Sequence, residues 1–154
     1  MTLKDRLDAE MKQAMKARDA GKLRLSVIRL VRAAIKNAEI ERHGELSDAD
    51  VAAILAKEVK MRREANDMIP AAERETRRDF IGQNEQEIAI LQEYLPKQME
   101  ENEIRELVAA VIASVGAQSP KEMGKVMGAL APQVRGRADG RAVSRIVQEM
   151  LGKN

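Results

Sequence analysis

The 154-residue chain has no cysteine and no tryptophan, only one phenylalanine, one tyrosine and one histidine, and four prolines. Without cysteine there is neither a disulfide framework nor a thiolate metal site. Strands draw heavily on aromatic and β-branched residues, so an aromatic content of 1% argues against a β-rich fold. No stretch approaches the ~20 consecutive apolar residues of a membrane helix, and Met1-Thr-Leu-Lys-Asp-Arg-Leu-Asp8 lacks the apolar segment of a secretion signal. The expectation is a cytoplasmic, all-α protein.

What is present is charge and aliphatic periodicity. Charged residues make up 34% of the chain, yet the formal net charge is only +2. Residues 1–96 balance 18 basic against 18 acidic groups, whereas residues 117–154 carry seven basic and three acidic ones. A cationic end on a neutral body is the electrostatic pattern expected of phosphate contact.

Hydrophobic spacing and capping signals predict seven helices. Thr2 with Asp5 starts a helix over 3–18, and a second follows Gly21 over 22–40, with Leu23, Val27, Leu30, Val31, Ala34 and Ala38 inward. Gly44 is placed to supply a left-handed cap. Ser47-Asp48-Ala49-Asp50 opens a third helix to about Ile69, with Val51, Ile54, Leu55, Val59 and Met61 or Arg62 inward, and Pro70 separates it from a fourth over 71–94. Phe80 and Tyr94 are expected in the core. Leu95-Pro96 marks a boundary between a four-helix domain, residues 1–96, and a three-helix domain, residues 97–154. In the latter, helices are expected over 101–115, from Pro120 to before Pro132, and from Gly140, capped by Asp139, to Leu151.

The candidate site lies in the last two helices. Met123, Val126, Met127 and Leu130 share one helical face, which leaves Lys121, Gly124, Lys125 and Gly128 on the other. An interior glycine costs a helix roughly 1 kcal/mol relative to alanine, so two on a solvated face call for a reason. Bare backbone beside lysines lets a sugar-phosphate chain approach; the plainer alternative is tight packing of a neighbouring helix.

In the turn, Gly136 and Gly140 can adopt positive φ, so that successive N–H groups would form an anion-binding nest at the start of a helix. Arg135 and Arg137 flank that turn, and Arg141 and Arg145 share a face of the final helix. Here the alternative is a set of solvated arginines. A secondary basic stripe, Lys22, Arg29, Arg32 and Lys36, lies on the second helix, where a solvated face is the plainer account. Lys57, Lys60, Arg62 and Arg63, interspersed with Glu58 and Glu64, read as an exposed salt-bridged surface. No P-loop, dinucleotide fingerprint, metal-ligand spacing or nucleophile–base pair occurs, so no catalytic residue, metal or cofactor is assigned.

Leu25-Ser-Val-Ile-Arg-Leu-Val-Arg-Ala-Ala-Ile35, Glu58-Val-Lys60, Leu91-Gln-Glu-Tyr-Leu-Pro-Lys-Gln98 and the carboxy-terminal Met123–Met127 and Gly136–Gly140 motifs resemble the YqeY family over essentially the whole chain. Residues 98–151 also resemble the helical tail of GatB, a subunit of the tRNA-dependent amidotransferase, although Asp139-Gly140 stands where Asn-Pro is common. The resemblance implies contact with tRNA or another folded RNA. It also implies association with an aminoacyl-tRNA amidotransferase or synthetase; an alternative reading is a component or accessory of a carbon–nitrogen ligase with glutamine as amido-N-donor. The portion of GatB that carries the chemistry has no counterpart here. A protein-interaction module without RNA is the remaining reading.

Overall fold

A computed structural model describes residues 1–152. Among them it contains seven α-helices and no strand: α1 Leu3–Lys16, α2 Lys22–Arg42, α3 Asp48–Asp67, α4 Arg78–Gln92, α5 Glu101–Val115, α6 Met123–Val134 and α7 Gly140–Gly152. None is long and apolar enough to cross a membrane. The chain divides into one compact unit over Met1–Pro96 and a second that begins at Lys97.

In the first unit, local signals set the helix starts. Thr2 Oγ1 accepts from Asp5 N at 3.1 Å while the Asp5 carboxylate accepts from Thr2 N at 3.1 Å, a reciprocal box that satisfies two otherwise orphaned donors. Ser47 and Asp50 repeat it at α3. Asp50 also accepts from Arg42, and these bonds, Arg42 first, hold its carboxyl at about 2. Leu7, Val27, Ile28, Val31, Ile35, Val51, Leu55, Val59, Ile88, Leu91 and Tyr94 form the core.

α2 turns a slightly different face inward than the spacing suggested. Ile28 and Ile35 are buried, whereas Leu30 is 46% exposed. The left-handed residue after α2 is His43, φ 57°, not Gly44. Gly44 lies one position later, where its N–H reaches Glu39 O at 3.2 Å and completes the cap.

Two further expectations are corrected at the α3–α4 connection. Residues 71–77 are not helical continuation but a short 3-10 turn, Ala71–Glu73, followed by turns. The segment is wholly exposed and has no apolar face to bury, so packing does not support a helix there. Thr76 Oγ1 donates instead to Glu73 O at 2.9 Å. Phe80, expected inside, is 51% exposed.

The α3–α4 seam is partly polar. Asn84 Nδ2 donates to Asn66 Oδ1 at 2.9 Å. Arg62, with 12% side-chain exposure, pairs with Glu58 at 2.7 Å and with Glu87 at 3.6 Å, so it is an interhelical bridge and not part of an exposed surface; Met61, not Arg62, faces outward.

In the second unit, Ile104, Val108 and Val111 of α5 pack with Val126, Leu130 and Val134 of α6 and Val143, Ile146, Val147 and Leu151 of α7. Gly116, φ 70°, ends α5 as a left-handed cap. α6 does not stop before Pro132 but runs two residues past it. Pro132 cannot donate to the Gly128 carbonyl, yet the ring is exposed and burial of Val134, one turn beyond Leu130, draws the last turn into helix.

Candidate nucleic-acid interface

α6 is preceded by a 3-10 turn, Pro120–Glu122, whose start is held by Glu122 Oε2 accepting from Gln118 N at 2.5 Å. Burial of Val126 and Leu130 then fixes which face of α6 looks outward. Lys121, Gly124, Lys125 and Gly128 are all exposed. A methyl group placed on Gly124 or Gly128 would meet nothing within 4 Å. Packing of a neighbouring helix of the second unit therefore does not account for either glycine. Neither lysine has a carboxylate partner among the described residues.

The turn between α6 and α7 is more closed than its sequence suggests. Gly136 has the expected positive φ, 77°, and is buried, but Gly140 does not share it. The N–H groups of Arg137 and Ala138 both point to Val134 O, at 2.9 and 3.0 Å, and Arg135 N donates to Ala131 O at 3.1 Å. Those three donors are spent within the chain and are not available to an anion. Outward-facing chemistry is left to side chains.

The Gly136 carbonyl accepts from Gln98 Nε2 at 2.9 Å and Met99 N donates to Arg137 O at 2.8 Å, which ties the turn to the segment entering α5. Asp139 caps α7 as expected: its carboxylate accepts from Arg141 N at 3.3 Å, and its carbonyl accepts from Val143 N at 3.1 Å. An acid therefore already occupies the helix start.

The arginines divide by environment. Arg135, Arg137 and Arg141 are exposed. Arg137 Nε makes only a 3.4 Å bond to Lys97 O, and the Arg141 guanidinium has no carboxylate partner among the described residues. Arg145 differs. It pairs with Glu149 at 3.1 Å and Glu101 at 3.4 Å, and Arg105 holds the same two carboxylates at 2.9 and 3.0 Å. This four-membered network joins α5 to α7. The sequence signal for it, Glu101/Arg105 and Arg145/Glu149 each at i,i+4, was available but does not reveal that the two pairs meet.

The Arg105 guanidinium, with Arg145 behind it, holds the Glu101 and Glu149 carboxyls below their ordinary value. Carboxylates depressed in the folded state stabilise it above the unfolded value of about 4.3 and lose that contribution as pH falls through their folded values. Thermal melts from pH 6 down to pH values below about 4 should thus show a steeper loss of stability in the native protein than in Glu101→Gln/Glu149→Gln. Equal slopes would mean that the network contributes nothing, which is the usual fate of isolated exposed pairs.

In the first unit, the secondary stripe is partly neutralised. Arg32 pairs with Asp8 of α1 at 2.6 Å. Lys22, Arg29 and Lys36 are exposed. No group of three or more His, Asp or Glu among the described residues could hold a metal ion.

Residues 4–151 match the sequence profile described as Yqey-like protein. The chain belongs to the YqeY family. No curated protein matches it.

Proposed function

We propose that this YqeY-family protein binds a folded RNA, tRNA in the first instance, through the outward face of α6 and the turn that follows it. The observation that carries the reading is the open face of α6: two glycines with clear space above their backbone, beside two lysines that have no carboxylate partner among the described residues. Lys121 and Lys125, and at the turn end Arg135, Arg137 and Arg141, supply the phosphate contacts; an arginine fork suits phosphate because it donates two parallel bonds. With the N–H groups of Arg135, Arg137 and Ala138 spent internally, recognition rests on side-chain charge and on shape, as for a structured RNA backbone. Arg145 is committed to Glu101 and Glu149 and contributes less.

Resemblance of residues 98–151 to the GatB tail extends the reading to tRNA-dependent amidation, with the protein delivering or holding aminoacyl-tRNA for a partner enzyme. Purified protein given glutamine, ATP and mischarged Glu-tRNA should show no turnover alone; turnover without a partner would overturn the division of labour.

The direct test is the salt dependence of tRNA binding. Each phosphate contact contributes about 0.7 to 0.9 to the slope of log affinity against log salt, so Lys121→Ala/Lys125→Ala/Arg137→Ala/Arg141→Ala should flatten it by about 3. Arg145→Ala should change it by well under 1. An unchanged slope in the quadruple variant removes RNA contact from this surface and favours a protein-interaction module.

A further inference from the structure

The first unit carries a cleft that this reading does not use. α1 and α2 part along one side to leave a space of about 400 Å³ whose floor includes Leu7 and Ile35. Its walls carry Lys4 and Asp8 from α1 and Arg29, Arg32 and Lys36 from α2. Glu39, also on the wall, is paired with Lys4 at 2.7 Å, and Asp8 with Arg32 at 2.6 Å. Both acids of the wall are therefore matched one to one, and the cleft retains the charge of two further cations, Arg29 and Lys36. Neither has a carboxylate partner among the described residues.

Their spacing is informative. Arg29 and Lys36 lie seven residues apart, about 10 Å along one face of α2, with Ala33 between them at i+4 from the first and i−3 from the second. Ala33 is exposed and presents only a methyl group, so the two long side chains can converge above it without obstruction. We propose that this cleft binds the phosphate group of a small, nucleotide-sized ligand, seated over Ala33 between Arg29 and Lys36. The volume falls within the ~300–1,000 Å³ range of small-ligand pockets. The matched pairs Lys4–Glu39 and Asp8–Arg32 link the two walls, α1 to α2. The inference stands on residues of the first unit alone, so loss of RNA binding at α6 would leave it untouched.

The test uses the full chain, with inorganic phosphate and adenosine 5′-monophosphate as probes followed by amide chemical shifts. Saturable shifts at Arg29, Ala33 and Lys36 are expected. Arg29→Ala/Lys36→Ala should weaken binding at least about tenfold, and Ala33→Glu, which places an acid at the seat, should abolish it. All three positions are exposed, and circular dichroism verifies that the helices persist. Absence of saturable shifts for both probes up to about 10 mM overturns the proposal, because that is weaker than any useful site. So do shifts of equal size in the variants, or shifts at these amides with an RNA hairpin but with neither small probe.

Discussion

Gly21→Ala is expected to cost the first unit at least about 3 kcal/mol, at the upper end of what overpacking does. The added methyl would lie 2.2 Å from the carbonyl oxygen of Ala14 and 2.8 Å from its Cα and carbonyl carbon. All three are backbone atoms, so no rotamer change relieves the clash; α1 has to move away from α2. Backbone conformation is not the cause, since Gly21 has φ −99°, which alanine adopts freely. Ala14 is buried at 3% exposure, and Leu7, two turns earlier on α1, lies in the core, so a shift of α1 loosens both.

Chemical denaturation should show the loss as a lower midpoint. By heat, the unit's transition should fall by about 12 °C or more, given ~4–8 °C per kcal/mol for a unit of this size. Gly82→Ala serves as the contrast. Its methyl would meet nothing within 4 Å in the interior of α4, and it should stabilise by roughly 1 kcal/mol. If both substitutions behaved alike, close approach of α1 and α2 at Gly21 would not be what holds that corner together.

The features legible in the sequence were those decided within one turn of chain. Thr2/Asp5 and Ser47/Asp50 announce helix starts because both partners are three residues apart, and the boxes form as read. Seven helices and the absence of strands among the described residues follow from aliphatic periodicity with almost no aromatics.

Where neighbours decide, local reading failed. Phe80 looks like core because it is large and apolar, but it lies in the first turn of α4, at the edge of a wholly exposed connection. Pro132 looked like a stop signal; the pull of the core on Val134 overrides it in the last turn, where one missing hydrogen bond costs least. The candidate interface divides in the same way. That Gly124 and Gly128 face outward was readable from the burial of Val126 and Leu130, one helical face fixing the other. That the turn donors fold back on Val134, and that Arg145 meets Glu101 from another helix, depends on contacts distant in sequence.

The sharpest separation of stability from function lies on α6. Gly124→Ala/Gly128→Ala should make the second unit more stable by about 2 kcal/mol, because each methyl enters open space and each alanine restricts the unfolded chain. Pro132, which leaves the Gly128 carbonyl without its N–H partner, adds to the reasons why α6 is intrinsically weak and has room to gain. If the glycines serve close approach of a sugar-phosphate backbone, the same variant should bind tRNA several-fold more weakly while its salt slope stays unchanged, since no cation has been removed. That combination, higher denaturation midpoint with lower affinity at constant slope, distinguishes steric access from charge. A stabilised variant with native affinity would leave the lysines as the operative groups and make the glycines incidental. A destabilised variant would show that the face of α6 is covered in solution, since only a covered face turns a helix-favouring methyl into a cost.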